Sequence, residues 1–356
     1  MRLICSTLSV LLIACSTATV PSSVSAPSSP AAIASVPRPA STLVKVKVGT
    51  LGIAPEAGLY IAIERGYFSD EGLDVELVPF RSGAEQTAPL ATGELHFGAG
   101  GPDPSLFNAL LRGIDVKIVA HNALVTEGDA SAAFIVRTDL IESGRFRELA
   151  DLKGMTVAIN IEGTTSQLYV ERILEKAGLK PADITLTVVP FTEMIAALAN
   201  RAVDAAWVVE PFVTIGTVQG VSKRVVPMAE AYPGAVTMVV MLSPVFARDQ
   251  ADAARRFVTA HLRGQRDYYR AFLKDEGSRE EIIHILTKYT QVKDPRLYAN
   301  MGWHGVDPNG ELNTRVLEDM QDYFVRIGTQ QQKVDLNKVI DRSYLNYALE
   351  RIGRIQ

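Results

Sequence analysis

Met155-Thr156-Val157-Ala158-Ile159 is a short apolar run that reads as a strand, and a loop and a helical segment ended by Gly178 follow it. The same order of strand, loop and helix begins earlier, at Val44-Lys45-Val46-Lys47-Val48. Leu59-Tyr60 recurs as Leu168-Tyr169 at an offset of 109 residues. A period this long exceeds the roughly 20–50 residues of solenoid repeats, so it predicts two duplicated domains.

The repeat predicts an α/β protein with two similar, mostly parallel-sheet lobes. Each copy reads as strand, helix, strand, and the second strands end in Val78-Pro79-Phe80 and Val189-Pro190-Phe191. Two extended runs flank the second copy and are expected to be the two crossing strands between the lobes. We therefore predict lobe one at 43–132 plus 241–356, including a helical C-terminal tail, and lobe two at 133–240.

The N-terminal region is predicted to be a leader and a tether. Residues 3–14 form an apolar run that is too short to span a bilayer but suits a secretory signal. Leu12-Ile13-Ala14-Cys15 resembles the bacterial lipobox, which implies a signal peptide at 1–14 and a lipidated, palmitate-bearing Cys15. Residues 15–42, rich in Ser, Ala and Pro, then form a disordered tether. The alternative is a secreted protein cleaved near Ala26 or Ala34.

Composition and motifs exclude several classes of function. The 36 basic and 40 acidic residues give a net charge of −4, which argues against nucleic acid as a partner. Two cysteines cannot build a disulfide scaffold or a Cys-rich zinc site. The sequence contains no HExxH, GxSxG or P-loop motif. We therefore predict a protein that is not an enzyme and that has no cofactor and no metal.

Two facing α/β lobes predict a ligand cleft, because ligands of open α/β sheets lie beyond the carboxyl ends of the strands. The loops at those ends are rich in Gly, Ser, Thr and Pro, and aromatic residues accompany them. Hinge motion could close such lobes around a solute. The predicted ligand-binding residues are Glu56, Tyr60, Arg81, Gly83, Gly101, Asp103, Thr164, Thr165, Ser166, Phe191, Trp207 and Glu210.

Two stretches carry a family resemblance. Gly66-Tyr67-Phe68-Ser69-Asp70-Glu71-Gly72-Leu73-Asp74-Val75-Glu76 and Asp151-Leu152-Lys153-Gly154-Met155-Thr156-Val157-Ala158 resemble segments of ABC-importer solute-binding proteins. The relevant branch binds sulfonates, nitrate, taurine and thiamine-precursor pyrimidines. The resemblance implies a type II periplasmic-binding-protein-like fold. Together with the lipidated Cys15, it predicts a monomer that is lipid-anchored on the extracytoplasmic face of the cell membrane. It also implies delivery of a small molecule to an ABC permease and its ATPase.

The loop residues suggest a ligand class. Arg81 is the only cation among them, against Glu56, Asp103, Glu162 and Glu210. Aromatic faces with carboxylates suit a flat, neutral heterocycle such as riboflavin or a thiamine-precursor pyrimidine. The alternatives are a binder of sulfonate, taurine or nitrate, an enzyme like those of pyrimidine synthesis, and a lipoprotein adaptor that recognises another protein.

Overall fold

The computed structural model describes residues 43–356, so Cys15, the signal peptide and the tether lie outside the described part of the chain. Two five-stranded sheets organise these residues. The strands of the first sheet are β1 (Val44–Thr50), β2 (Leu73–Pro79), β3 (Phe97–Gly100), β4 (Lys117–Leu124) and β10 (Val236–Leu242). Those of the second sheet are β5 (Ala132–Arg137), β6 (Thr156–Ile159), β7 (Thr185–Val188), β8 (Ala205–Val209) and β9 (Ser222–Pro227).

Both sheets have the same strand plan, which confirms the predicted pair of similar α/β lobes. Their orders are β2-β1-β3-β10-β4 and β7-β6-β8-β5-β9. The first three strands of each sheet are parallel, and the fourth runs antiparallel to its neighbours. In each sheet the fourth strand follows a crossing between the lobes: β5 follows the crossing from the first lobe to the second, and β10 follows the return.

Helices cover the sheets and form most of the chain beyond β10. They are α1 (Ala57–Glu64), α2 (Tyr67–Asp70), α3 (Thr87–Thr92), α4 (Pro104–Leu111), α5 (Thr138–Glu142), α6 (Thr165–Lys176), α7 (Phe191–Ala199), α8 (Phe212–Val218), α9 (Met228–Ala231), α10 (Pro244–Asp249), α11 (Ala251–Leu273), α12 (Arg279–Tyr289), α13 (Pro295–Tyr298), α14 (Thr314–Arg326), α15 (Leu336–Val339) and α16 (Ser343–Ile352). Within residues 43–356, no helix combines the length and apolar character needed to cross a membrane.

The predicted return point to lobe one requires a correction. We expected the chain to re-enter at 241, but all of β10 belongs to the first sheet. Its Val239 pairs with Gly100 of β3 and with His121 of β4. The run that precedes position 241 is therefore a central strand of the first sheet, and the crossing lies between β9 and β10. A single apolar run could not show which of the two sheets it would join.

The predicted assignment of the whole C-terminal tail to lobe one is also wrong, because α14 packs on α6 of lobe two. The Tyr323 hydroxyl donates to the Glu171 carboxylate at 2.9 Å, and Arg172 pairs with Asp319 at 2.9 Å. Phe324 shares one apolar cluster with Leu168 of α6. The chain therefore crosses between the lobes again before and after α14.

Two glycines set the distance between α1 and α11 on the outer side of the first sheet. A Cβ on Gly264 would overlap the Gly58 carbonyl oxygen, and a Cβ on Gly58 would contact the side chain of Gln265 at 2.8 Å. The two backbones therefore touch, so Leu59, Ile61 and Phe257 are buried in one apolar cluster.

The helix crossing yields the first prediction. Gly264→Ala should lower the free energy of unfolding by about 1–3 kcal/mol, because the added methyl forces α1 and α11 apart. Urea unfolding of the body, residues 42–356, would measure the loss. Gly178→Ala is a comparison variant, because a Cβ there meets no atom within 4 Å, although Gly178 has a φ of +69°. Equal stability of Gly264→Ala and the wild type would contradict the close crossing.

Candidate functional site

The carboxyl ends of the parallel strands define the candidate site. In lobe one these are the ends of β1, β2 and β3, and in lobe two the ends of β6, β7 and β8. The loops that leave these ends lead into helices. Backbone N–H groups in the first turn of such helices have no intrahelical acceptor, so they must find another partner.

Glu56 and Tyr60 do not face a ligand, because both side chains are fully buried. The Glu56 carboxylate accepts hydrogen bonds from the Tyr60 hydroxyl at 2.7 Å and from the Thr50 hydroxyl at 3.0 Å. It also accepts from the backbone N–H groups of Leu51 and Ile53 at 3.1–3.2 Å. The predicted role of these two side chains in ligand binding is therefore corrected to one of holding the loop after β1.

The surroundings of Glu56 also set its ionisation. Burial raises the pKa of the Glu56 carboxyl above its usual value, while the hydrogen bonds from Tyr60, Leu51, Ile53 and Thr50 work in the opposite direction. The Tyr60 ring stacks on Tyr289 with ring centroids 4.8 Å apart, which anchors the tyrosine in the core.

Trp207 belongs to the core and not to the cleft, which corrects a second prediction. Its side chain is 1% exposed in the middle of β8 and contacts Tyr169 with ring centroids 5.1 Å apart. Phe191, the first residue of α7, is half-buried and packs against the apolar cluster of lobe two. Of the two aromatic residues predicted for lobe two, only Phe191 keeps an accessible face.

The Glu210 carboxylate binds other residues of the chain. Its side chain is 4% exposed and pairs with Arg224 at 2.9 Å. The same carboxylate accepts from the Thr214 N–H in the first turn of α8 and from the Gly302 N–H. Burial raises the pKa of Glu210, and these bonds oppose the rise. Glu210 therefore joins α8 to a later crossing segment, and its predicted ligand role is corrected.

Asp103 caps α4. Its Oδ1 accepts from the Ser105 N–H at 3.0 Å and from the Ser105 hydroxyl, so this carboxylate fills the N-terminus of the helix. Burial raises the pKa of Asp103. The structure nevertheless leaves Asp103 partly exposed, directly after the end of β3.

The predicted glycines lie next to each other in lobe one, because the loop after β2 folds onto the end of β3. A Cβ on Gly83 would lie 2.7 Å from the Gly100 Cα, so the two backbones are in contact. Gly101 follows and is half-buried. Arg81 is exposed in the same loop, and its N–H donates to Glu85 at 3.1 Å. The structure therefore brings Gly83, Gly101 and Asp103 together beside Arg81.

Thr164, Thr165 and Ser166 form the start of α6 at the carboxyl end of β6. Thr164 and Thr165 are half-buried and Ser166 is buried. The Thr164 hydroxyl donates to the Ile161 carbonyl, and the Ser166 hydroxyl donates to the Asn160 side chain. In the described residues no side chain caps this helix N-terminus. A 12-residue helix with an open N-terminus favours negative charge at that end.

In the internal repeat, the open N-terminus of α6 corresponds to the position of the buried Glu56 carboxylate in lobe one. At the offset of 109 residues, Tyr60 corresponds to Tyr169 and Glu56 corresponds to Thr165. The Thr165 side chain is the hydrogen-bonding neighbour of the Tyr169 hydroxyl, as Glu56 is of Tyr60. Burial raises the pKa of Tyr169 above its ordinary value. Lobe two thus repeats the tyrosine but replaces the carboxylate with a neutral threonine.

Three polar residues that shape these loops were not among the predicted site residues. Gln86 is buried, and its amide exchanges two hydrogen bonds with the Ala99 backbone at 2.8 and 2.9 Å. Gly98 lies beside its Oε1, which explains a glycine within a strand. Asn160 was also missed. Tyr169 was matched to Tyr60 in the repeat but was not counted among the site residues, although Tyr60 was.

Residues 55–271 match the model of the family described as "NMT1/THI5 like". The chain belongs to this family. A Brucella abortus protein described as a binding protein is 32% identical over 159 residues, which cover 45% of each chain, so the chain spans about half the length of that relative. A Bacillus subtilis protein described as an aliphatic sulfonates-binding protein is 24% identical over 304 residues, 82% of this chain and 85% of the relative.

Solved structures share the fold of this NMT1/THI5-like chain. The periplasmic aliphatic sulphonate binding protein SsuA from Escherichia coli has a TM-score of 0.67 at 18% identity, over 84% of this chain and 92% of SsuA. The desulfurization enzyme DSZB has a TM-score of 0.63 at 17% identity, over 87% of this chain and 99% of the enzyme. These likenesses confirm the predicted architecture of two lobes.

Proposed function

We propose that this chain is the extracytoplasmic solute-binding subunit of an ABC importer and that its solute is a small organic or inorganic anion. The observation that carries the anion is the open N-terminus of α6, where Thr165 stands in the place of Glu56. In lobe one the carboxylate at this place in the repeat, Glu56, accepts from the N–H groups of Leu51 and Ile53 in the loop before α1. In lobe two the anionic group of the solute would take that position, with the Thr164 and Thr165 side chains beside it.

The geometry supports an anion over the flat neutral heterocycle that the sequence suggested. The preference for the heterocycle depended on carboxylates and aromatic faces in the cleft. The carboxylate oxygens of Glu56 and Glu210 accept hydrogen bonds from other residues of the chain. The side chains of Tyr60 and Trp207 are buried. Arg81 remains exposed in lobe one. The family and the names of the relatives support the same direction, and riboflavin or a thiamine-precursor pyrimidine is the rival ligand in the test.

A thermal-shift and calorimetry screen of the mature chain tests the ligand class. We expect taurine, a short alkanesulfonate or nitrate to raise the melting temperature, because a ligand that binds only the folded state stabilises it by mass action. Riboflavin and pyrimidines should give no shift. A shift with riboflavin and none with the anions would contradict the proposal.

The correspondence between Glu56 and Thr165 suggests a substitution that tests the anion site at α6 directly. Thr165→Glu should place an internal carboxylate at the open N-terminus of α6 and lower the affinity for the anion at least tenfold, about 1.4 kcal/mol. The same variant without solute should melt no lower than the wild type, because the new charge favours the helix N-terminus. Isothermal calorimetry measures the affinity.

Thr185→Glu is the matched control for Thr165→Glu. It adds the same charge to the same lobe, on an exposed residue at the amino end of β7, which is the end away from the cleft. Its affinity for the anion should equal that of the wild type. Equal affinities for all three proteins would contradict an anion site at α6.

The cellular role completes the proposal. We infer that Cys15 carries the lipid anchor and that the protein works on the outer face of the cytoplasmic membrane as a monomer. It would deliver its solute to an ABC permease powered by an ATPase. The names of the relatives as binding proteins support a binding role and not an enzymatic one.

A further inference from the structure

The chain after α14 folds back as a short strap, residues 328–334, that Gln321 of α14 holds in place. The Gln321 side chain donates to the Val334 carbonyl, and its Oε1 accepts from the Val334 N–H at 2.8 Å. It also accepts from the buried amide of Gln330 at 2.8 Å. Hydrogen bonds therefore hold the strap in a defined position on α14, and α14 itself packs on lobe two.

The strap makes its first contact with α4 of lobe one. Asn108 of α4 donates from its Nδ2 to the Thr329 carbonyl at 2.8 Å, and its Oδ1 accepts from the Gln331 N–H at 3.3 Å. The Asn108 side-chain amide thus both donates to and accepts from the strap backbone, as the backbone of a neighbouring β-strand would. Because α4 begins directly after Asp103, this bond fixes the strap to the helix that leaves the end of β3.

The second contact is with the ligand loop of lobe two. The Thr329 methyl lies so close to Gly163 that a Cβ on Gly163 would be 2.7 Å from it. Gly163 has a φ of +75° and donates its N–H to Gln167 of α6, so it shapes the turn into the open helix N-terminus. A single strap residue, Thr329, therefore contacts both α4 of lobe one and the turn before α6 of lobe two.

An apolar layer continues these polar contacts across the lobes. Leu106 and Phe107 of α4, Leu336 and Val339 of α15, Phe324 of α14 and Leu168 of α6 lie in one buried cluster. The lobes are thus connected on this side by packed side chains in addition to the crossing segments.

We propose that Asn108, Thr329 and Gly163 form an interlobe latch that positions the two lips of the cleft against each other. Thr329 and Asn108 are positioning residues, since they act on the solute only through the loops they hold. The inference rests on the proposed function for the place of the solute, but the latch itself can be measured without any solute.

The test uses spin labels on two exposed cleft-side positions, Ala84→Cys and Thr192→Cys. The only cysteines of the chain, Cys5 and Cys15, precede the folded body, so a chain truncated to the body carries no other thiol. The body, Thr42–Gln356, is a compact unit. Double electron–electron resonance would measure the distribution of distances between the two spin labels in the absence of solute.

Gly163→Ala should lengthen or broaden the distance distribution, because the new Cβ displaces Thr329. Gly178→Ala is the matched control: it has a similar φ of +69° in the same lobe, but its Cβ meets no atom within 4 Å. It should leave the distribution unchanged. The double variant Gly163→Ala/Thr329→Ser should move the distribution back toward the wild type, since serine lacks the methyl that collides.

Asn108→Asp is an independent second variant. Its carboxylate keeps an acceptor for the Gln331 N–H but cannot donate to the Thr329 carbonyl, so it should also widen the distribution. Both latch variants should weaken binding of the anion about tenfold. Distributions identical to the wild type in Gly163→Ala and Asn108→Asp, or no rescue by Thr329→Ser, would overturn the latch. A second outcome separates the latch from the proposed solute. If the two latch variants give wider distributions than the wild type but no protein, the wild type included, binds an anion, the latch is supported and only the proposed solute is refuted.

Discussion

The free energy of unfolding should fall by up to about 4 kcal/mol per pH unit as the pH drops from 6 toward 4.5. The cause is a set of three buried histidines, His121, His261 and His304, which are 1%, 2% and 3% exposed. Burial lowers the pKa of His121 and His261 to about 4 and that of His304 to about 3. The slope corresponds to the uptake of three protons on unfolding.

The direction follows from the two protonation states. In the unfolded chain histidine titrates near pH 6.5, so each ring binds a proton below that value. In the folded protein the rings stay neutral down to about pH 4. Between these values the unfolded state binds more protons, so its population grows as the pH falls. The stabilisation is fully present above pH 6.5 and is lost as the pH falls through the folded pKa.

Buried carboxyl groups act in the opposite direction and reduce the net slope. Burial raises the pKa of Glu56, Asp103, Asp129 and Glu210. The contribution of each of these carboxyls to the free energy of unfolding rises as the pH falls from its pKa in the folded protein toward its pKa in the unfolded chain. The figure of about 4 kcal/mol per pH unit is therefore an upper limit for the three histidines together.

Urea unfolding of wild type and variants between pH 4.5 and 7 isolates the histidine contribution. His261→Gln should reduce the slope by about 1.4 kcal/mol per pH unit, because one proton fewer is taken up on unfolding. His284→Gln is the control, since that exposed ring meets water in both states. Parallel slopes for the wild type and His261→Gln would show that His261 is not held neutral by burial.

Glu56→Ala should destabilise the protein by about 3–5 kcal/mol, although Glu56 looked like a ligand residue in the sequence. Removing the carboxylate leaves three donors without an acceptor: the N–H groups of Leu51 and Ile53 and one of the hydroxyls of Thr50 and Tyr60. The other hydroxyl can still donate to its neighbour, because the two oxygens lie 2.7 Å apart. An unsatisfied buried donor costs about 1–3 kcal/mol. Chemical unfolding would measure the loss.

Glu85→Ala is the comparison variant, because Glu85 is an exposed acid in lobe one. It should change the free energy of unfolding by less than about 0.5 kcal/mol. A Glu56→Ala protein that is as stable as the wild type but has lost its solute would restore Glu56 to the binding site. A large loss of stability supports its role as the internal acceptor of the loop after β1.

The repeat was the most informative feature of the sequence. Leu59-Tyr60 and Leu168-Tyr169 begin corresponding turns of α1 and α6, and the two sheets have equivalent strand orders. Periodicity also found the strands that carry the cleft loops. Periodicity could not decide which sheet would receive β10 or which lobe would receive α14, because those choices depend on contacts between distant segments.

The binding residues were harder to predict because one loop contains both ligand-facing and inward-facing side chains. Glu56 and Thr165 occupy corresponding positions, but only Glu56 turns inward to satisfy its own loop. Trp207 lies in the middle of β8, where an aromatic residue packs against Tyr169 and not against a solute. The strap is invisible in the sequence, since Asn108 and Thr329 are separated by 221 residues.

Backbone amide resonances give the most direct test of the central claim that a small anion binds at the open N-terminus of α6. A ¹⁵N-labelled mature chain would be titrated with a short alkanesulfonate and, separately, with riboflavin. We expect the largest shifts at the amides of Thr165, Ser166 and Gln167 with the sulfonate, and none there with riboflavin. Unchanged amides at these three residues in the presence of a sulfonate that calorimetry shows to be bound would contradict the account.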